Sequence, residues 1–486
     1  MTLNEMMRAG EMHVPPGFRG GGIAITGLTA DSRAVRPGTL FAALPGARVD
    51  GRAFIADAVA RGAAAVLAPV GTEWPPGVPP LPLIEAAEPR LALARMAAAF
   101  AGAQPETVVA VTGTNGKTST VDFLRQLWTL GGKRAASLGT LGLIGPDGPE
   151  GGSLTTPDPV ALALSLAALA RKGVTHAALE ASSHGLDQYR LDGVRLAAAA
   201  FSNLTRDHLD YHGTEKAYRT AKLRLFTELL PPGAHAVVNA DMDGVTLAAL
   251  RDIAAQRHLD LRTVGEAGTT LRLLRAIPRP DGQALEIEAE GVRRTVEIAL
   301  PGRFQADNAL LAAALAEATS GRDVFDRLPR LVGVRGRMER AATLPNGAAA
   351  YVDYAHTPDA LARLLTALRP HARRLVVVFG AGGDRDPGKR PLMGEVAARL
   401  ADTVLVTDDN PRSEKPAAIR AAILAACPGA REIGDRARAI EAGLASLGPG
   451  DVLAVAGKGH EQGQIIGAET IPFDDVSVIR DLVGTA

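Results

Sequence analysis

Short apolar runs with the spacing of strands alternate along this chain with longer stretches in which apolar residues return every three or four positions. The TLFAA run at 39–43 reads as a strand closed by Pro45 and Gly46. A helical pattern follows at 53–61, a strand at 64–68 and an apolar helix at 91–100. Gly102 and Pro105 break that helix and mark a domain boundary. A second region opens with the β-branched TVVAVT run at 107–112, then a glycine-rich turn. The helix after it carries Phe123, Leu124, Leu127 and Trp128 on one face. Further strands are expected at 175–179, 197–201 and 235–239. A third region begins after GVRGR at 333–337, with strands at 375–379, 403–407 and 452–456. Alternation of strand and helix predicts mostly parallel sheets covered on both faces. The third region has no GxGxxG after its first strand, so dinucleotide binding is not supported there.

Composition narrows the partners more than the fold. The chain has 486 residues, enough for two to four domains, with 47% hydrophobic and 22% charged residues. Lys+Arg and Asp+Glu are equal at 53 each, so broad nucleic-acid or anionic-membrane binding is not expected. Any anionic ligand must be held by local geometry. The single cysteine, Cys427, excludes an intrachain disulfide and lies in a helix-like run at 421–427 as a small buried thiol. The N-terminal MTLNEMMRAGEMHV does not read as a secretory signal, and no run approaches the ~18 to 20 apolar residues that span a membrane. A cytoplasmic address is therefore expected, and the chain is expected to act as a monomer.

The strongest motif is TGTNGKTS at 112–119, between a strand and a helix. In such a loop the backbone of Gly113, Thr114, Asn115 and Gly116 curls around phosphate oxygens, and the helix N-terminus favours the anion. Lys117 would reach the β- and γ-phosphates, and Thr118, followed by Ser119, would ligate Mg²⁺. Val111 stands where the general pattern has glycine, so the loop is a variant. A glycine-rich turn with an incidental lysine is the competing reading. Glu180 ends a strand at the sheet edge where α/β folds bind ligands, and His208 follows another strand. By themselves both are ambiguous, since a carboxylate at a strand end can simply cap the next helix. The fold class expected is α/β in three domains: a small N-terminal α/β domain at 1–103, a central P-loop ATPase-type parallel-sheet domain at 104–335 and a C-terminal Rossmann-like domain at 336–486.

These segments, in order, resemble the Mur ligases, the ATP-dependent enzymes that build the peptidoglycan stem peptide. The resemblance runs from TADSR at 29–33 and PGARVDG at 45–51 to AGKGHE at 456–461. Between them lie LTTPD at 154–158, EASSHG at 180–185, NAL at 308–310 and YAHTP at 354–358. DNPR at 409–412 is similar to the members that add meso-diaminopimelate as the third residue; lysine-adding members depart from it. The resemblance implies that ATP phosphorylates the D-glutamyl γ-carboxylate of UDP-N-acetylmuramoyl-L-alanyl-D-glutamate, and that an amine then attacks the acyl phosphate. It implies Mg²⁺ held by Thr118 and Glu180, a second site served by His208, and closure of three domains to exclude water. Lys222 matches a family lysine that becomes N-carboxylated, whereas its residues alone read as an exposed lysine on a basic helix.

By the same resemblance, Ser32, Thr155, Thr156, Ser182, Gln188 and Arg190 read the muropeptide, with the loop of Ala47, Arg48 and Val49 near the uridine nucleotide. Individually, Ser32 and Thr155 serve equally as turn or capping residues. Asn308, Arg337, Asp353 and His356 are assigned to the base and ribose of ATP, with a linker-anchoring role as the alternative for Arg337. Arg385 and Arg412, with Asp409, Asn410, Pro411, Gly457 and Glu461, are assigned to diaminopimelate. A guanidinium grips the distal carboxylate that lysine lacks. The alternatives are the same reaction with L-lysine, a non-catalytic nucleotide-binding regulator, and a folate ligase.

Overall fold

The computed structural model describes residues 1–12, 20–46, 49–151, 154–279, 281–321 and 324–484. Contacts divide the chain into two units, Met1–Val264 with Ala314–Arg322, and Gly265–Ala313 with Asp323–Ala486.

The first unit opens with a four-stranded parallel sheet in sequential order: Gly27–Thr29, Thr39–Ala42, Ala63–Pro69 and Leu83–Ala86. Alternate side chains go to opposite faces, as the period of a strand requires. Leu40, Ala42, Leu67 and Ile84 pack against Leu3, Met6, Leu93 and Met96, while Phe41, Val66 and Ala68 pack against Val35, Ile55 and Ala58. Helix Pro89–Ala101 begins with proline, which needs no N–H partner there, and stops at Gly102 in the left-handed conformation (φ 76°).

The larger sheet of this unit positions the chemistry. Strand Thr107–Thr112 lies between Ala198–Phe201 on one side and His176–Glu180 on the other, all parallel. His235–Asn239 and Asp260–Gly265 extend it one way, Ala135–Gly139 the other, followed by the antiparallel strands Gly142–Gly145 and Gly148–Glu150. The C-terminal ends of three central strands thus deliver the Gly113 loop, Glu180 and the segment around Asn203 to one edge. Helix Lys117–Leu130 buries Phe123, Leu124, Leu127 and Trp128 completely, and Trp128 donates to Thr319 Oγ1 at 3.0 Å.

The second unit contains an antiparallel meander, Leu271–Arg279, Gly282–Ala289 and Val292–Ile298. Its main sheet runs Glu339–Thr343, Ala349–Asp353, Val452–Ala456, Leu375–Phe379, Thr403–Val406 and Arg431–Glu432, parallel except for the first pair. Leu375, Val377 and Phe379 face one apolar layer; Val376 and Val378 face the other. This is the doubly covered sheet that the alternating pattern predicts. One detail differs: Cys427 is buried, but helix Pro416–Leu424 ends before it, and the thiol sits in the following turn.

Candidate active site

The loop after Thr112 needs glycine where it begins and where it enters the helix. Gly113 has φ 141°, and a Cβ there would overlap Ser202 Oγ. The loop is tied to the exit of the neighbouring strand: Thr114 N donates to Asn203 O at 2.8 Å, Asn115 N to Asn203 Oδ1 at 3.0 Å, and Ser202 Oγ to Asn115 O at 2.6 Å. Gly116 (φ 83°) turns the chain into helix Lys117–Leu130, in whose first turn Thr118 and Ser119 are buried.

Two lysines meet at this loop. Lys117 Nζ donates to the carbonyls of Gly113 and Thr114, both at 2.9 Å. Lys222 Nζ donates to the same Gly113 carbonyl at 2.8 Å and lies 4.6 Å from the Tyr218 ring centre. The basic-helix reading of Lys222 as an exposed side chain does not hold, because it is 1% exposed. Burial pushes its pKa well below the ordinary lysine value; Lys117 acts in the same direction and Asp207 against it. Tyr218, one turn earlier on helix Glu215–Arg224, donates its hydroxyl to Thr114 Oγ1 at 3.1 Å. The i, i+4 spacing from Lys222 was the available signal for Tyr218.

Glu180 is buried at the end of its strand, with Oε1 accepting from Thr140 N at 2.7 Å and Oε2 from Thr140 Oγ1 at 3.2 Å. Its carboxylate is not a helix cap: Ser182 takes that role, accepting from Gly185 N at 3.0 Å. Thr140 Oγ1 and Thr155 Oγ1 are 3.1 Å apart, and Thr156 Oγ1 bonds Glu180 O at 2.8 Å and Ser182 Oγ at 3.0 Å. Arg190 donates to Thr156 O at 2.6 Å and to Gln188 Oε1 at 2.7 Å. Thr155, Thr156, Ser182, Gln188 and Arg190 therefore form one network beside Glu180. Thr140 joins it without a sequence signal, because its role comes from the sheet edge and not from a motif. Ser32 is buried at the start of the 3₁₀ turn Ser32–Ala34 that follows the first strand, where, after Arg61, its hydroxyl helps hold the Asp57 carboxyl below its usual pKa. Val49 and Leu154 are exposed; Ala47 and Arg48 lie outside the described residues.

His208 is exposed and left-handed (φ 51°), with its ring 5.0 Å from that of His184 and Nε2 3.4 Å from Asp207. Among the described residues no group of three or more His, Cys, Asp and Glu side chains is arranged to hold a metal ion. A single carboxylate with a neighbouring hydroxyl suits Mg²⁺, which keeps waters and takes phosphate oxygens rather than a full protein cage.

In the second unit, Asp353 accepts from Met338 N at 2.6 Å and Ala355 N at 2.8 Å. Crowding by surrounding protein raises its pKa to about 6, against the pull of Arg337 and of those two amides. Arg337 lies over the Tyr354 ring at 4.8 Å, and Gln305 joins its carbonyl (3.2 Å) to the buried Asn308 (3.2 Å). His356 Nδ1 sits 2.8 Å from Tyr354 O. These four ATP candidates thus share one neighbourhood.

The diaminopimelate candidates share another, at the ends of strands Leu375–Phe379, Thr403–Val406 and Val452–Ala456. Asp409, Asn410 and Pro411 are buried, and a Cβ on Gly457 (φ 118°) would overlap Asp409 Oδ2. Arg412, half-buried and left-handed (φ 52°), donates its amide to Ile465 O at 3.1 Å and Nη1 to Gly383 O at 2.8 Å. Arg385 is exposed, with Nη1 on Asp384 O at 3.3 Å. Lys458, never singled out by its sequence, is completely buried among them.

Family descriptions match along the chain: "Mur ligase family, catalytic domain" at residues 24–103, "Mur ligase middle domain" at 111–316 and "Mur ligase, glutamate ligase domain" at 336–459. The chain belongs to the Mur ligase family. This Mur ligase is 56% identical over 465 residues to a protein of Caulobacter vibrioides, covering 93% of this chain and 94% of that one. It is 55% identical over 460 residues to one of Bradyrhizobium diazoefficiens, covering 93% of each. Both relatives are named UDP-N-acetylmuramoyl-L-alanyl-D-glutamate--2,6-diaminopimelate ligase. A solved structure of the same name superposes with a TM-score of 0.72 at 33% identity, over 100% of this chain and 99% of that one. A MurF ligase of Thermotoga maritima in complex with ADP has a TM-score of 0.61 at 19% identity, covering 95% and 97%, and shares the fold.

Proposed function

We propose that this Mur ligase adds meso-2,6-diaminopimelate to the D-glutamyl γ-carboxylate of UDP-N-acetylmuramoyl-L-alanyl-D-glutamate, consuming ATP and releasing ADP and phosphate. The observation that carries the chemistry is the meeting of Lys117 and Lys222 at the Gly113 carbonyl, on the loop that leads into the N-terminus of helix Lys117–Leu130. A carboxylate attacking ATP brings anions together, so charge must be offset where the phosphoryl group moves. Lys117, with the backbone of residues 113–116 and Ser119, performs that task for the triphosphate. The γ-carboxylate oxygen attacks the γ-phosphorus and ADP departs, leaving an acyl phosphate. The amine nitrogen then attacks the acyl carbon, loses a proton, and the tetrahedral intermediate expels inorganic phosphate.

Thr118 and Glu180 would hold Mg²⁺, with His208 at a second site; bound there, the metal neutralises phosphate charge. The depressed pKa of Lys222 leaves a share of neutral amine, the form that combines with CO₂ to give a carbamate and a proton. That modification replaces a cation with an anion able to face a metal. Ser32, Thr155, Thr156, Ser182, Gln188 and Arg190 receive the muropeptide, while Asn308, Arg337, Asp353 and His356 receive the nucleoside of ATP. Arg385, Asp409, Asn410, Pro411, Arg412, Gly457 and Glu461 form the amino-acid pocket. The choice of diaminopimelate rests on Arg412 and on the shared name of the relatives. Domains at 1–103, 104–335 and 336–486, a monomeric state and a cytoplasmic address belong to the same proposal; among the described residues no helix is long and apolar enough to cross a membrane.

Phosphate release with ATP, Mg²⁺ and the muropeptide tests this, comparing diaminopimelate, L-lysine and no amine. Strong dependence on diaminopimelate, with the tripeptide product by mass, is expected. Preference for lysine would overturn the assignment of Arg385 and Arg412. ATP binding without amine-dependent turnover would point to a regulator, and turnover of folate with glutamate to a folate ligase.

A further inference from the structure

We infer that Lys458 is a positioning residue of the amino-acid pocket, acting through Asn410 to fix the carboxylate of Glu461; this rests on the reaction proposed above. Lys458 follows Gly457 at the end of the central strand Val452–Ala456, where the left-handed glycine turns its side chain under the DNPR segment. It is 0% exposed. Its Nζ donates to Asn410 Oδ1 at 2.8 Å and to Gly463 O at 2.7 Å, and lies 3.6 Å from Glu461 Oε2.

The consequence falls on Asn410. Its Oδ1 also accepts from Ile465 N at 3.0 Å, so both lone pairs of the amide oxygen are filled from within the protein. That oxygen has no capacity left for a substrate ammonium. The amide is instead locked with Nδ2 outward, donating to Glu461 Oε2 at 2.9 Å. Asn410 is buried, while Glu461 keeps about a third of its side-chain surface open. The exposed carboxylate is therefore the member of the chain that meets the ligand's ammonium group, and the two buried residues behind it set its direction. A free Asn410 amide would rotate, because its two ends differ only in donor and acceptor character; two donors on one oxygen remove that freedom.

A buried lysine is costly unless its three N–H donors are used. Burial lowers the pKa of Lys458, while Asp409 and Glu461 favour the charged form. Arg436, fully buried and paired with Asp475 at 2.7 Å, closes the same region from below by donating to Ala456 O at 3.1 Å. The hydrogen bonds of this ammonium go to two neutral carbonyl oxygens, with the Glu461 carboxylate ion-paired at 3.6 Å beyond hydrogen-bond reach, and the bond to Asn410 Oδ1 gives that amide its orientation.

The test compares the full-length wild type with Lys458→Met and Asn410→Ala in steady-state phosphate release, with circular dichroism as a folding check. Either variant should raise KM for diaminopimelate about tenfold or more, the effect of one charge-assisted hydrogen bond. KM for ATP and for the muropeptide should stay within about twofold. The double variant should raise KM for diaminopimelate no further than the larger single effect, because both substitutions cut one chain. Equal rises in all three KM values, a fall in kcat alone, or additive single effects would overturn the inference. If Lys458→Met does not fold, Lys458→Gln, which removes the charge and keeps a polar group, decides: an unchanged KM for diaminopimelate overturns the inference, and a selective rise supports it. Wild-type enzyme without diaminopimelate-dependent turnover would overturn the proposed reaction and this inference with it, an outcome distinct from active wild type with unmoved variants.

Discussion

Gly113 is where a single methyl group should do most damage to the nucleotide site. The residue has φ 141°, and an added Cβ would overlap Ser202 Oγ and press on Asn203 N and O at 3.1 Å. Holding a side chain at such a φ costs about 1 to 3 kcal/mol. Ser202 cannot withdraw freely, since its hydroxyl donates to Asn115 O at 2.6 Å, and losing that bond in a buried setting costs a further ~1 to 3 kcal/mol. The loop will therefore move, carrying with it the carbonyl that both Lys117 and Lys222 hold. Displacement of about 1 Å at such a site lowers rate about 100-fold. Gly113→Ala is thus expected to reduce kcat/KM for ATP by about 100- to 1000-fold, measured as amine-dependent phosphate release, while the thermal transition shifts only a few degrees. Adding Ser202→Gly removes the overlap and should recover part of the loss, leaving the part due to backbone strain. A Gly113→Ala enzyme within about threefold of wild type, with a normal thermal transition, would refute this reasoning.

Other consequences are open to measurement. Arg412→Met should raise KM for diaminopimelate by about 100-fold or more and erode its preference over lysine, because it removes the guanidinium proposed to meet the distal carboxylate; an unchanged ratio of kcat/KM values would move specificity elsewhere. His460, whose pKa burial lowers to about 4 with help from Arg337, stays neutral in the fold while the unfolded imidazole takes a proton. Stability is thereby lost as pH falls from about 6.5 towards 4, by about 2 to 3 kcal/mol, and His460→Gln should flatten that slope in urea titrations. Asp353, raised to about 6, works in the opposite sense between its ordinary value and 6, so the difference between His460→Gln and wild type is the quantity to compare. Arg436→Met should destabilise by about 3 to 5 kcal/mol by stranding the buried Asp475, and Arg436→Met with Asp475→Leu should cost less than the single change; a double variant worse than the single would contradict the reading of a paired charge.

Local order in this chain is written locally. The strands at 107–112, 235–239, 375–379 and 452–456 coincide with the apolar runs that predict them, because a strand buried on both faces needs a continuous hydrophobic segment. Phe123, Leu124, Leu127 and Trp128 share a buried face for the equally local reason of helical period. The phosphate loop was legible because Gly113, Gly116, Lys117 and Thr118 fall within one short contiguous segment. The meander at 271–298 was not, since its outward faces carry Arg272, Arg275 and Arg293 and its pattern is only partly apolar.

Tertiary structure decided what depends on residues far apart in sequence. It set Lys222 against Gly113, 109 positions away, and so turned a lysine that reads as solvated into a buried one. It supplied Thr140 to Glu180 and handed the capping of the next helix to Ser182. It also buried Lys458 beneath Asn410. Charge and pKa follow desolvation, which is a property of the packed surroundings and has no period along the chain. Sequence by itself determined the buried strands and their helices, the phosphate loop and the family; packing determined which polar atoms remain free to meet a ligand.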